Sequence, residues 1–266
     1  MRFSSVSAVL ALGALGAVAT PTRPGSAHRA EPTVYLCGDS TMTNKGNNDG
    51  TAGWGVYLSS YITLSVVNKA IAGRSARSFW NEGRFAEVAN VTKRGDIVVI
   101  EFGHNDGGTP ASGDNGRPDC PGTGEETCIS DKTGETVYTF VHYIKQATRL
   151  MLSKGATVIL SSQTPNNLWE TGTFVNSPPR FVGYELLAKR ELGRGVYFVD
   201  HYQAVSHVYK KLGNESTNAL YPIDHTHTSP HGADLSAQAF TQAVHTRMNG
   251  TTSLNKYIIC DPPVVY

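Results

Sequence analysis

Apolar positions along the chain fall into short continuous blocks separated by longer stretches with helical spacing. Five blocks stand out, at 33–37, 64–68, 96–102, 156–162 and 196–200, rich in Val, Ile, Leu and Tyr. They are largely continuous rather than alternating, as expected of strands covered on both faces of a parallel sheet. Between them, 137–153 carries Val137, Phe140, Val141, Ile144, Thr148 and Met151 at helical spacing, with Gly155 as a stop. Residues 55–61, 84–91, 181–192, 203–212 and 233–248 also read as helices. Strands and helices alternate with no repeat or linker dividing them. The pattern predicts one doubly wound α/β domain, a three-layer α/β/α sandwich around a five-stranded parallel sheet. In such sheets the reactive crevice opens at the carboxyl ends of the strands, so the residues just after each strand matter most.

Ahead of the first strand lies a different kind of segment. Arg2 gives a positive start, residues 6–19 are small and aliphatic, and A-V-A ending at Ala19 and G-S-A ending at Ala27 follow. These features predict a secretory signal peptide over 1–27, cut after Ala19 or Ala27, with the folded domain over 28–266; the other reading is a buried N-terminal helix. The stretch is too short to anchor in a bilayer, and no later apolar run is long enough. A secreted, extracellular, soluble protein is therefore expected.

Composition agrees. Of 266 residues 39% are hydrophobic and 17% charged, which supports a packed core and excludes a disordered or fibrous chain. The formal charge of +1 becomes −1 on cleavage after Ala27, so no strong pull toward nucleic acid or membrane is implied. Sequons at Asn90, Asn214 and Asn249 are candidate glycan sites on an exported chain. Of the four cysteines, Cys120 and Cys128 enclose a Gly/Pro-rich segment and are expected to form a disulfide. Cys37 lies in an apolar strand and reads as a buried thiol, and Cys260 has no evident partner.

Three short motifs sit where chemistry is expected. The first strand runs into Gly38-Asp39-Ser40-Thr41, which would present a hydroxyl at the crevice, although Asp-Ser is also a common turn and helix cap. The third runs into Gly103-His104-Asn105-Asp106, where a side-chain amide could donate to a developing oxyanion or close an Asx turn. Before the last helix, Asp224 and His227 lie three residues apart, a spacing that lets the carboxylate hold the imidazole as a base. That loop also admits a metal reading, with His225, His227 and His231 as ligands, or no chemistry at all.

Together these motifs resemble the SGNH/GDSL hydrolase superfamily. Y-L-C-G-D-S-T-M, N-K-A-I-A-G-R-S-A-R-S, V-I-E-F-G-H-N-D-G-G, S-S-Q-T-P-N-N and P-I-D-H-T-H-T-S-P are similar to fungal rhamnogalacturonan acetylesterases in particular, over about 33–243. The resemblance implies a flavodoxin-like SGNH fold and a serine esterase that removes acetyl groups from the rhamnogalacturonan backbone of pectin. It implies Ser40 as nucleophile, His227 as base, Asp224 as its orienter, and an oxyanion hole from Ser40, Gly73 and Asn105. No metal and no organic cofactor is implied. The partner expected is an acetylated cell-wall polysaccharide met by a monomer, with no nucleic acid and no membrane. Arg74 and Arg77, just after Gly73, would contact substrate carboxylates or anchor neighbouring carbonyls. Trp54, Trp80 and Trp169 would stack on sugars or fill core.

The chain departs from that family at Cys37, where Ala is usual, and at Cys260, whose second-disulfide partner is missing, which puts the packing of the C-terminal tail in doubt. The same machinery would serve acetylxylan or a short acyl ester. A non-catalytic carbohydrate binder on the same fold is the rival from another class. The polar, glycine-rich segment 107–135 speaks against a lipid-facing rim.

Overall fold

In a computed structural model, residues 1, 3–5, 31–43 and 49–266 are described. The apolar part of the predicted leader and both cleavage sites, at Ala19 and Ala27, lie outside the described residues. Five parallel strands form the central sheet: β1 (Val34–Gly38), β2 (Val66–Asn68), β3 (Ile97–Glu101), β6 (Thr157–Ser161) and β7 (Val196–Val199). A separate antiparallel hairpin joins β4 (Thr127–Ile129) to β5 (Thr136–Tyr138). The sheet order is β2-β1-β3-β6-β7. The chain thus leaves β1 toward one edge, then returns to build on its other side. The switch falls between β1 and β3, which is where open α/β sheets leave a crevice.

Successive residues of each strand feed opposite cores. Val34, Leu36, Ile97, Val99 and Ile159 pack against α5 (His201–Asn218) and α6 (Pro230–His245). Tyr35, Cys37, Val98, Ile100, Val158 and Leu160 pack against the layer holding α1 (Ala76–Asn81), α2 (Arg84–Val91), α3 (Phe140–Ser153) and α4 (Arg180–Leu192). That two-sided burial is why the blocks read as continuous rather than alternating.

Several boundaries moved for local reasons. The predicted helix at 55–61 is instead two 3₁₀ turns, Trp54–Val56 and Leu58–Ser60. The helix expected from 137 begins at Phe140, because 136–138 pair as β5 and the Thr139 side chain caps the helix by accepting from the His142 N–H. Helix α5 runs on to Asn218, broken by a non-helical Gly213. Helix α1 is an addition, six residues long and started by a Ser75/Ser78 capping box.

A buried polar seam crosses the first core. Glu101, 2% exposed, accepts from Trp54 Nε1 at 2.8 Å and Ser161 Oγ at 2.5 Å, and bonds His201 Nδ1 at 2.9 Å. Trp54 is therefore a core residue. Trp169 also points its indole inward, donating to the Tyr209 carbonyl at 2.8 Å, and Trp80 packs against Phe85. Cys120 and Cys128 are bonded as expected, Cys37 is a buried free thiol and Cys260 an exposed one. The tail is held without a second bridge: Gln242 in α6 accepts from the Val265 N–H at 2.6 Å and donates to the Tyr266 carbonyl at 2.9 Å.

Candidate active site

Strand register brings the first two motifs and the segment after β2 to one rim. Gly38 pairs with Glu101 and Leu36 with Asn68, so Ser40, Asn105 and the segment after β2 all emerge at neighbouring carboxyl ends. The turn that carries Ser40 is fixed from within. Asp39, 1% exposed, accepts from the Thr41 N–H at 2.9 Å and the Thr41 hydroxyl at 2.8 Å. Burial pushes its carboxyl above the ordinary range. From the β2 side, Asn68 Nδ2 donates to the Met42 carbonyl at 2.7 Å.

The loop at 221–229 is braced on both flanks. Ala52 N–H donates to the Thr228 carbonyl at 2.9 Å, and Asn167 N–H to the His225 carbonyl at 2.8 Å. Within it, Asp224 Oδ1 accepts from the N–H groups of Thr226 and His227, both at 2.7 Å. Its Oδ2 lies 2.7 Å from His227 Nδ1, and His227 Nε2 lies 2.8 Å from Ser40 Oγ. A carboxylate accepts only, so Nδ1 carries the proton and Nε2 is left to accept from the serine. Partial burial raises the Asp224 carboxyl, but the hydrogen bonds from His227 and Thr226 outweigh it and hold the group at about 2. The carboxylate thus stays charged wherever the histidine could act as a base.

Three donor-bearing residues line the cavity that holds the Ser40 hydroxyl. The N–H groups of Ser40 and Gly73 have no hydrogen-bond partner among the described residues. Gly73 adopts φ +74, a conformation that L side chains rarely take. Asn105 Nδ2 donates to the Arg74 carbonyl at 3.2 Å, leaving its second N–H for a ligand. The turn before it favours Gly103, whose φ of +143 is one that L side chains rarely adopt. Ser40, Gly73, Asn105, Asp224 and His227 all line one cavity of about 440 Å³.

The two arginines part company. Arg74 is half-exposed, paired with Glu82 at 3.0 Å, and lines a second cavity of about 780 Å³ that shares Gly73 with the first. Arg77 is 1% exposed and turned inward. Its guanidinium binds Asp114 through two bonds of 2.9 Å, the Pro118 carbonyl at 2.8 Å, and Glu135. Its expected role as a substrate contact is corrected: it anchors the 107–135 segment to α1. The histidines of the loop do not gather as a metal site would need. His225 turns to Glu170 at 3.1 Å while His227 faces Asp224, and no three His, Cys, Asp or Glu side chains converge among the described residues.

Two residues at or beside the site had no role assigned from the sequence. Arg117 lines both cavities and donates to Asn105 Oδ1 at 3.1 Å, yet it stands alone in a Gly/Pro-rich loop. Asp106 is buried and accepts from the Ala76 N–H at 2.7 Å, tying α1 to the asparagine loop. The G-x-N-D pattern contained it, without a reason for the aspartate.

The chain is 52% identical over 215 residues to the rhamnogalacturonan acetylesterase of Emericella nidulans, covering 80% of this chain and 84% of that one. The structure of Bacillus subtilis YxiM superposes with a TM-score of 0.64 at 25% identity, over 83% of this chain and 57% of that longer one. A catalytic mutant of Axe2, an acetylxylan esterase from Geobacillus stearothermophilus, shares the fold with a TM-score of 0.54 at 18% identity, over 79% of this chain and 93% of that one. The model of the GDSL-like lipase/acylhydrolase family matches residues 34–240, a span holding every residue that meets in the 440 Å³ cavity, and the chain belongs to that family.

Proposed function

We propose that the protein is a secreted acetylesterase that removes acetyl groups from the rhamnogalacturonan backbone of pectin. The observation that carries this is the unbroken run of hydrogen bonds from Asp224 through His227 to the Ser40 hydroxyl, in a cavity also lined by Gly73 and Asn105. The 52% identity to a rhamnogalacturonan acetylesterase supports the choice of substrate.

Ser40 Oγ attacks the acetyl carbonyl carbon while His227 Nε2 takes its proton. Negative charge moves to the carbonyl oxygen, met by the N–H groups of Ser40 and Gly73 and the amide of Asn105. Collapse breaks the bond to the sugar oxygen, which leaves with the proton from His227. Water, deprotonated by the same imidazole, then attacks the acetyl-serine and frees acetate. The half-exposed Arg74, beside Gly73 on the wall of the neighbouring cavity, is suited to a backbone carboxylate. Export rests on the leader at 1–27, and the exposed Asn90, Asn214 and Asn249 are the proposed glycan sites.

The test is acetate release by the purified protein from acetylated rhamnogalacturonan and from acetylxylan, with Ser40→Ala beside it. The wild type is expected to favour the pectic polymer, and the variant to release no acetate while unfolding at an unchanged temperature. Equal rates on the two polymers would remove the substrate assignment; undiminished release by the variant would remove the mechanism.

A further inference from the structure

An asparagine that serves an oxyanion has a problem of orientation. Its amide has two ends of nearly the same shape and opposite polarity. The NH₂ end stabilises a developing negative oxygen, and the carbonyl end repels it. Something must decide which end faces the reacting carbonyl.

We propose that Arg117 decides it, as a positioning residue that fixes the amide of Asn105 with its NH₂ group toward the oxyanion. This rests on the assignment of Asn105 as an oxyanion donor. Arg117 Nη1 donates to Asn105 Oδ1 at 3.1 Å, and Asn105 Nδ2 donates to the Arg74 carbonyl at 3.2 Å. A guanidinium has no acceptor and a carbonyl has no donor. Turning the amide over would set NH₂ against guanidinium and oxygen against oxygen, replacing two hydrogen bonds with two repulsions. With the amide held this way round, the second Nδ2 hydrogen is free for the reacting oxygen. The same guanidinium lies near a second oxyanion residue, since a Cβ on Gly73 would sit 3.9 Å from Arg117 Nη1.

Arg117 can hold Asn105 because its own segment is fastened. Arg77, buried in α1, grips the carbonyl of Pro118, the next residue, at 2.8 Å and clamps Asp114. Asp114 Oδ1 in turn accepts from the Gly116 N–H at 2.8 Å. The line of support runs from α1 through Arg77 and the 114–118 turn to Arg117 and so to the amide. The sequence puts Arg117 twelve residues beyond Asn105, and only the fold of the 107–135 segment brings it back.

A double-mutant cycle on a neutral ester, 4-nitrophenyl acetate, tests this without any steering by substrate charge. Wild type, Asn105→Ala, Arg117→Ala and the double variant are compared for kcat and KM. Asn105→Ala is expected to lower kcat on the order of 10²–10³-fold. Arg117→Ala is expected to lower kcat roughly tenfold with KM within about twofold, the signature of a lost transition-state interaction. In the Asn105→Ala background, removing Arg117 should lower kcat less than about twofold further, because the amide it orients is gone. Arg117→Lys, which keeps a donor, should recover part of kcat, and Arg117→Met, which keeps the aliphatic packing without the donor, should not. Should Arg117→Ala fail to fold, the cycle is run with Arg117→Met. Full multiplication of the two single losses, or a loss confined to KM, overturns the inference while leaving the oxyanion assignment in place. An unchanged kcat in Asn105→Ala overturns that assignment and the inference with it.

Discussion

At the scale of single residues, the chemistry was legible where it depends on short spacing. G-D-S and G-x-N-D set their polar atoms within a few residues of the ends of β1 and β3, which the sheet register aligns, and D-x-x-H sets its pair on the loop before α6, braced by Ala52 and Asn167. Arg77 shows the limit. In sequence it stands three residues from Arg74, yet one guanidinium is half-exposed and the other is buried on two carboxylates. No local pattern separates them, because their partners Glu82, Asp114 and Glu135 come from different distances along the chain. Asp224 gives a prediction at this scale. Its carboxyl is held at about 2, so it is charged at every pH where the enzyme would work. Asp224→Asn removes the charge and permits the wrong tautomer of His227. A fall in kcat of about 10⁴-fold is expected, the size of that exchange in other Ser-His-Asp hydrolases. A fall of less than tenfold in steady-state kinetics would mean that Asp224 does not orient the base. The stability contributed by this depressed carboxyl is present above the unfolded-state value and is lost as pH falls through about 2.

At the scale of elements, long apolar blocks declared themselves and short polar ones did not. The strands of the main sheet were found within a few residues: β1, β3 and nearly all of β6 are buried on both faces, while the edge strand β2 is only half-buried and is marked by Val66 and Val67. The β4–β5 hairpin was missed because its strands are three residues each and mostly exposed, so no hydrophobic period marks them. Helix α1 was missed for the same reason of length, its helical character resting on a capping box and on tertiary contacts rather than on a repeat. These two missed elements support each other through Arg77, which leaves α1 to bind Asp114 and Glu135 on either side of β4. The Arg77 hydrogen bonds hold the Asp114 carboxyl down at about 2, against the effect of burial. Arg77→Met would leave that buried carboxylate without its cation, a change that costs about 3–5 kcal/mol in comparable buried pairs. Urea denaturation should show the midpoint moving down accordingly. Arg77→Lys should recover only part of it, because a single ammonium cannot bind Asp114 through two parallel bonds. An unshifted midpoint in Arg77→Met would show that the 107–135 segment is held by other contacts.

At the scale of the whole molecule, the class of fold followed from one fact, that blocks of apolar residues alternate with helices. What the pattern could not show is how many carboxyl groups the two cores enclose. Asp106 and Asp119 lie close together in the interior, where the Asp119 N–H donates to the Asp106 carbonyl at 3.3 Å, and both Asp119 side-chain oxygens, Asp106 Oδ2 and both oxygens of the nearby Glu185 are buried without a partner among the described residues. Burial pushes all three carboxyls above their ordinary range; Asp106 raises Asp119 further, and Asp106 with Glu101 raises Glu185, while Arg77 and Arg180 draw Asp119 partly back. A carboxyl raised on folding keeps its proton in the native state at a pH where the unfolded chain has lost it. The native state then binds more protons, so stability falls as pH rises above the ordinary carboxylate range. Each buried proton retained contributes up to about 1.4 kcal/mol per pH unit over which only the unfolded group is ionised. Asp119→Asn substitutes an amide that donates to Asp106 as the protonated acid does, without a proton to lose. Thermal unfolding of wild type and variant at about pH 5 and about pH 8 reads the difference. At the lower pH the two should unfold at similar temperatures, and at the higher the variant should be the more stable by roughly 1–3 kcal/mol. A variant that lags the wild type equally at both values would mean that the pair carries no shared proton.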